Sequence, residues 1–170
     1  MKYKLDILEK NNIEYDWKTV YVGLKLNFID GEEVQNYAVS IIENAESINE
    51  NIMKLAWGIE EERLEESIRN ILEDAGIEDS SKELELEERK WRYCILKQIS
   101  NTYSCRDIIN KINDVFAHFG YPVDMVGFIN YMPPSDVYNP AEYTYNENFD
   151  RLISNFNNFL KEEESLIKIS

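Results

Sequence analysis

Histidine occurs once in this chain of 170 residues and cysteine twice. A lone histidine, His118, starves the chain of the usual general base. It lies between Ala117 and Phe119 just before an expected helix end, where a dipole and capping role is natural. Cys94 and Cys105 are eleven residues apart, fit no zinc or redox spacing and fall in segments that read as helical. Two reduced thiols, at least one of them buried, are expected. There is no HExxH, no cluster of Cys or His, no glycine-rich phosphate loop and no Asp-rich magnesium motif. Paired carboxylates abound, but in so acidic a chain they carry almost no information. The expectation is a protein that is not an enzyme and holds no metal or cofactor.

Positive charge is also scarce, with 18 Lys and Arg against 33 Asp and Glu, a formal net charge of −15. That balance all but excludes nucleic acid as a partner, because such affinity comes largely from cations neutralising phosphates. It argues equally against anionic membrane surfaces. Long apolar runs are missing too: the N-terminal stretch breaks each one with a charge, and nothing approaches the roughly 18 consecutive apolar residues of a spanning helix. A cytoplasmic location is the expectation. With 44% hydrophobic and 12% aromatic residues, the chain is nevertheless too rich in core formers for a disordered acidic tail. One domain over residues 1–170 is expected.

Glycine and proline number only six and four, and apolar residues recur every three or four positions. This predicts an all-α fold of consecutive antiparallel helical hairpins, forming one bundle or a short solenoid. After a short leader, Asp16 caps a helix from Trp17 to Lys25 whose face is Trp17, Val20, Tyr21 and Leu24. Asp30, with Glu33 three residues on, is a capping-box pattern opening a second helix faced by Val34, Tyr37, Ala38, Ile41 and Ile42. These two helices should form a hairpin. Ser47 starts a short helix through Ile48, Ile52, Leu55 and Ala56 that ends at Gly58, and another runs from about Glu60 through Leu64, Ile68, Ile71 and Leu72 to Gly76. A polar loop follows from Glu78 to Lys82.

Ser81 then opens what should be the longest and most central helix, with Leu84, Trp91, Ile95, Leu96 and Ile99 as core. Ser104 caps the next, which carries Ile108, Ile109, Ile112, Val115 and Phe116 up to Gly120. A brief helix through Met125, Phe128 and Ile129 must end at Met132-Pro133-Pro134, since proline lacks the amide hydrogen and restricts its predecessor. Ser135 to Tyr145 is irregular. A last helix covers Asn148 to Glu164 with Phe149, Leu152, Ile153, Phe156, Phe159 and Leu160 on its face. Trp17 with Tyr21, and Trp57, read most simply as core.

Two features bear on function. Glu60, Glu61, Glu62, Glu65, Glu66, Glu73, Asp74, Glu78 and Asp79 belong with Glu83, Glu85, Glu87 and Glu88 in one negative half. For any one of them a solvated face is the plainer reading. The net charge still favours fast association with a basic protein. The second feature is the run from Tyr131 through Asp136, Val137 and Tyr138 to Pro140, continued by Tyr143 and Tyr145. Tyrosines beside carboxylates suit a protein interface, and the rival reading is a loop whose tyrosines merely cover the last two helices. The candidate partner-binding residues are therefore Asp136, Tyr138, Glu142 and Tyr143, with Glu61, Glu65 and Glu66 as a second patch.

The stretch Asp16-Trp17-Lys18-Thr19-Val20-Tyr21-Val22-Gly23-Leu24-Lys25, followed by Phe28-Ile29, Phe119-Gly120-Tyr121-Pro122 and Phe128-Ile129-Asn130-Tyr131-Met132-Pro133-Pro134, resembles a family of small acidic bacterial proteins. Its members are catalogued as conserved and uncharacterised, and the likeness spans about residues 10 to 165. Families of this kind occur beside polymorphic or contact-dependent toxins and are taken to be immunity proteins. The resemblance implies a cytoplasmic inhibitor that binds a cognate toxin domain, such as a basic nuclease. It transfers no functional residue. The alternative is a helical scaffold or regulatory protein-binding module unrelated to toxins, and a weaker third is an enzyme with carboxylate-bound magnesium.

Overall fold

Asp16 starts the first long helix by a reciprocal cap. Its carboxylate accepts from the amides of Lys18 and Thr19 at 2.8 and 3.4 Å, while the Thr19 hydroxyl accepts from the Asp16 amide at 3.1 Å. The computed structural model describes residues 2–44, 49–78, 82–103, 107–134 and 136–169. Among these every regular element is helical and none is a strand, so the fold is all-α. The α-helices are α1 Asp6–Glu9, α2 Trp17–Lys25, α3 Gly31–Asn44, α4 Glu50–Trp57, α5 Glu61–Asp74, α6 Lys82–Thr102, α7 Asp107–His118 and α8 Tyr145–Ile169. Short 3-10 helices cover Val123–Phe128 and Pro140–Glu142. The chain divides into two compact units, Met1–Trp91 and Arg92–Ser170, with the boundary inside α6.

In the first unit α3 packs on α4, α4 on α5, and α5 on α2. The hairpin expected of α2 and α3 is not a principal pairing; their ring contact is Trp17 edge-on to Tyr37 at 4.8 Å. The leader buries Leu5, Ile7, Leu8 and Ile13. The Tyr3 amide donates to the Phe28 carbonyl at 2.6 Å, and Glu33 accepts from the Leu5 amide at 2.7 Å. Glu33 is thereby diverted from the capping box, of which only the Asp30 half forms, with Asp30 accepting from the Glu33 amide at 3.1 Å.

The first half of α6 lies against α2 through Trp91. Its indole is fully buried and donates to the Thr19 carbonyl at 2.8 Å. Only glycine fits opposite it: a Cβ on Gly23 would stand 2.5 Å from Trp91 Cζ2. Glu87 is buried as well, accepting from the Thr19 hydroxyl and pairing with Lys90 at 2.9 Å. It therefore leaves the acidic face to which the sequence assigned it.

Several expectations are met closely. Leu64, Ile68, Ile71 and Leu72 are the buried face of α5, all five named positions of α6 are buried together with Cys94, and Ile108 to Phe116 line α7 as predicted. Gly58 and Gly76, at φ +86° and +78°, end α4 and α5 in the left-handed region where glycine is favoured. Others need correction. Asn49, and not Ser47, caps α4, accepting from the Asn51 amide at 2.7 Å. Trp57 is 79% exposed, because Leu55 and Ala56 fill the inward face of the last turn of α4. The longest helix is α8, with 25 residues against 21 for α6. Ser47, Ile48, Asp79, Ser81, Ser104, Cys105 and Ser135 lie outside the described residues.

In the second unit the 3-10 helix Val123–Phe128 packs on α8, with Phe128 against Phe156 and Phe159 at 5.5 and 5.0 Å between ring centroids. Thr144 and Glu147 explain why α8 starts at Tyr145 and not at Asn148. The Glu147 carboxylate accepts from the Thr144 amide and hydroxyl at 2.8 and 2.7 Å, and Thr144 Oγ1 accepts from the Glu147 amide at 3.3 Å.

Two outcomes are expected from this packing. Gly23→Ala should lower the unfolding free energy in urea by about 1–3 kcal/mol, since the indole cannot retreat without breaking its bond to Thr19. The second concerns alkali. Burial, aided by Asp16, pushes the Tyr37 hydroxyl up to about 12 from 10.0. The folded chain then holds a proton that the unfolded chain gives up, so this stability is whole below pH 10 and falls as pH rises toward 12. Urea midpoints measured across that range should decline less in Tyr37→Phe.

Candidate protein-binding site

Between Pro134 and α8 the backbone has few partners of its own, and side chains supply them. Asn139 caps the turn Pro140–Glu142, its Oδ1 accepting from the Ala141 amide at 3.2 Å and its Nδ2 donating to the Glu142 carboxylate at 2.9 Å. Asn148, on the first turn of α8, does more. Its Nδ2 lies 3.0, 3.3 and 3.0 Å from the carbonyls of Pro140, Tyr143 and Thr144, and its Oδ1 accepts from the Tyr138 hydroxyl at 2.9 Å. One amide thus ties down both ends of the segment.

Rings and charges complete the brace. Asp136 accepts from the Tyr138 amide at 3.1 Å and from Arg151 at 2.6 Å. The guanidinium of Arg151 lies 4.1 Å from the Tyr138 ring centroid, and Tyr143 stacks on Tyr138 at 4.6 Å with 13° between planes. The Tyr138 amide, and then Arg151, hold the Asp136 carboxyl below its ordinary value. Hydrogen bonds from the Thr144 hydroxyl and amide do the same for Glu147. Burial pushes the Tyr138 hydroxyl upward, against the pull of Arg151.

Beneath the segment is a cavity of about 450 Å³. Ile109 of α7, Val126 and Gly127 of the 3-10 helix, Met132, and Phe149 and Leu152 of α8 form apolar walls. Asn110, Asn130, Tyr138, Asn148 and Arg151 contribute polar atoms. Asn155 fixes one wall by donating to the Gly127 carbonyl at 2.7 Å.

The structure brings Asp136, Tyr138, Glu142 and Tyr143 together in the second unit. Asp136 is neutralised by Arg151, while Glu142 takes a bond from the uncharged Asn139. Glu61, Glu65 and Glu66 lie on α5 in the first unit, where Glu61 and Glu66 are exposed and Glu65 pairs with Arg69 at 2.9 Å. Sequence reasoning missed Asn148, Arg151 and Gly127. For Asn148 a signal existed, since Thr144 and Glu147 are spaced as a capping box and place it on a first turn. Among the described residues, no group of three or more His, Cys, Asp or Glu is arranged to hold a metal, and no helix is long and apolar enough to cross a membrane.

Residues 5–164 match the family described as an uncharacterised protein conserved in bacteria, DUF2247. The chain belongs to this family. No curated protein and no solved structure matches it. The span shared with the family takes in the braced segment and both walls of the cavity.

Asn148→Ala should release the Tyr138 hydroxyl and three carbonyls at once. The expected cost is about 1 kcal/mol, moderated by water reaching the exposed groups. Amide hydrogen exchange should accelerate over residues 137–145 while the buried part of α7 keeps its protection.

Proposed function

We propose that this protein is a binding protein, not a catalyst, and that it neutralises a cationic bacterial toxin domain, such as a basic nuclease, in the manner of an immunity protein. The observation that carries the reading is the braced segment itself. Tyr131, Val137, Tyr143 and Tyr145 are exposed on a stretch whose backbone is already held by Asn139, Asn148 and Asp136. Large exposed apolar side chains on a pre-ordered loop bind with little further loss of freedom. Residues 131–151 also carry four carboxylates, Asp136, Glu142, Glu147 and Asp150, against Arg151 alone, a net −3.

In this reading the net charge of −15 speeds encounter with a basic partner and the tyrosines hold it afterwards. The patch on α5 contributes to steering only. Affinity capture of the tagged protein from its host, at low and then moderate salt, tests the proposal. Recovery of one basic toxin fragment, whose toxicity this chain suppresses on co-expression, is the expected result. Recovery of a housekeeping complex would replace it with the scaffold reading. Asp136→Ala with Tyr138→Ala should weaken the captured partner at least about tenfold. Neutralising Glu61, Glu65 and Glu66 together should slow association in a salt-dependent way and leave dissociation unchanged. Unchanged affinity in the double variant would move the site elsewhere.

A further inference from the structure

We infer that the cavity beneath the tyrosine segment is an anchor pocket, which receives one uncharged aromatic or aliphatic side chain from a cationic polypeptide. This rests on the protein-binding reading above and adds what enters and what flanks it. The size is that of a ligand site, at about 450 Å³. The walls are mostly apolar, and among the described residues no Asp, Glu, Lys or His lines them. Arg151, the charged lining group among the described residues, already has Asp136 at 2.6 Å and the Tyr138 ring under its guanidinium. An ionised group entering here would lose water and meet no free counter-charge. The part that enters is therefore neutral and apolar.

The rim says what that part is attached to. Tyr145 lines the cavity and is still 70% exposed, and Tyr131 and Val137 stand exposed in the same segment. A small molecule enclosed by the cavity would leave the exposed part of Tyr145 in water, whereas a polypeptide whose side chain is anchored inside would cover it. Asn110 is exposed at the lining and offers an amide that matches backbone peptide groups. Glu142 and Glu147 receive hydrogen bonds from the neutral Asn139 and Thr144, so their charge is unopposed by a cation. Lysine or arginine beside the anchor complements them.

Gly127 provides the decisive variant. A Cβ added there meets nothing within 4 Å and its φ is not positive, so Gly127→Leu adds a bulky side chain at the cavity lining without backbone strain. Asn110→Trp closes the mouth from an exposed position of α7 and serves as a second plug. The full chain, labelled with nitrogen-15, is titrated with the peptide Lys-Lys-Trp-Lys-Lys, with Lys-Lys-Ala-Lys-Lys and with free indole. The tryptophan peptide should give saturable shifts of the Ile129, Phe149 and Leu152 amides. Its affinity should fall at least about tenfold in either plugged variant, and the alanine peptide should bind at least about tenfold more weakly. No shift with the tryptophan peptide, equal binding of the two peptides, or binding unaltered by both plugs overturns the inference. So does saturation by indole with no gain from the cationic flanks, which would make the cavity a small-molecule site. None of these results changes which partner is captured or its dependence on Asp136 and Tyr138, so the two readings fail separately.

Discussion

A guanidinium leaves water only where carboxylates replace it, and Arg92 is buried in that way. Both of its terminal nitrogens donate to Asp124, at 3.1 and 2.5 Å, Glu163 lies 3.6 Å away, and the ring of Phe159 is 5.5 Å from its carbon. Removing Asp124 would leave the buried guanidinium with the more distant Glu163 as its counter-charge. The consequence is positional. Asp124 opens the 3-10 helix and Glu163 sits on the inner face of α8, so one side chain fixes both elements to α6. From that point a single stripe of α8 runs at helical spacing: Glu163 to Arg92, Phe159 to Phe128, Asn155 to the Gly127 carbonyl, Leu152 to the cavity, Asn148 to the tyrosine segment. The candidate site is the far end of the stripe that begins at the buried arginine.

Internal use of carboxylates changes what the net charge means. Glu87, Glu163, Glu33, Asp16 and Asp124 each satisfy a donor within their own unit, and Asp136 is matched by Arg151. Those that face a cation, Asp16 beside Lys18, Glu87 beside Lys90, Asp124 and Glu163 beside Arg92, and Asp136 beside Arg151, contribute less to the outward field than their number suggests. Exposed acids with no cation beside them among the described residues, such as Glu61 and Glu66 on α5 and Glu142 and Asp150 in the second unit, contribute fully to that field. An acidic composition therefore serves two ends here, and the sequence alone does not separate them.

What could be read from the sequence was whatever depends on neighbours along the chain. The cap at Asp16, the stops at Gly58 and Gly76, and the faces of α5 and α7 follow from spacing and turn chemistry, and each was found within a residue or two. Burial that depends on a distant partner was not readable. Glu87 looks like any other acid in a charged run until Thr19 is placed against it. Trp57 reads as core from its ring alone, although Leu55 and Ala56 already stand on the apolar run of the same turn. The hydrogen bonds that hold the tyrosine segment come from Asn148 and Arg151, which follow it in the chain, and Arg151 reads as an ordinary polar position of a helix.

That brace also decides how the segment can bind. Its hydroxyl at Tyr138, its carbonyls at Pro140, Tyr143 and Thr144, and its carboxylate at Asp136 already have partners. A newcomer that broke one of these internal bonds would have to replace it at no net gain. What the surface offers instead is ring face, the exposed aliphatic side chain of Val137 and an apolar cavity, bordered by carboxylates that act at a distance. Under the proposed function the charge and the rings then have different tasks. Long-range attraction governs how often a basic partner arrives, and burial of apolar surface governs how long it stays.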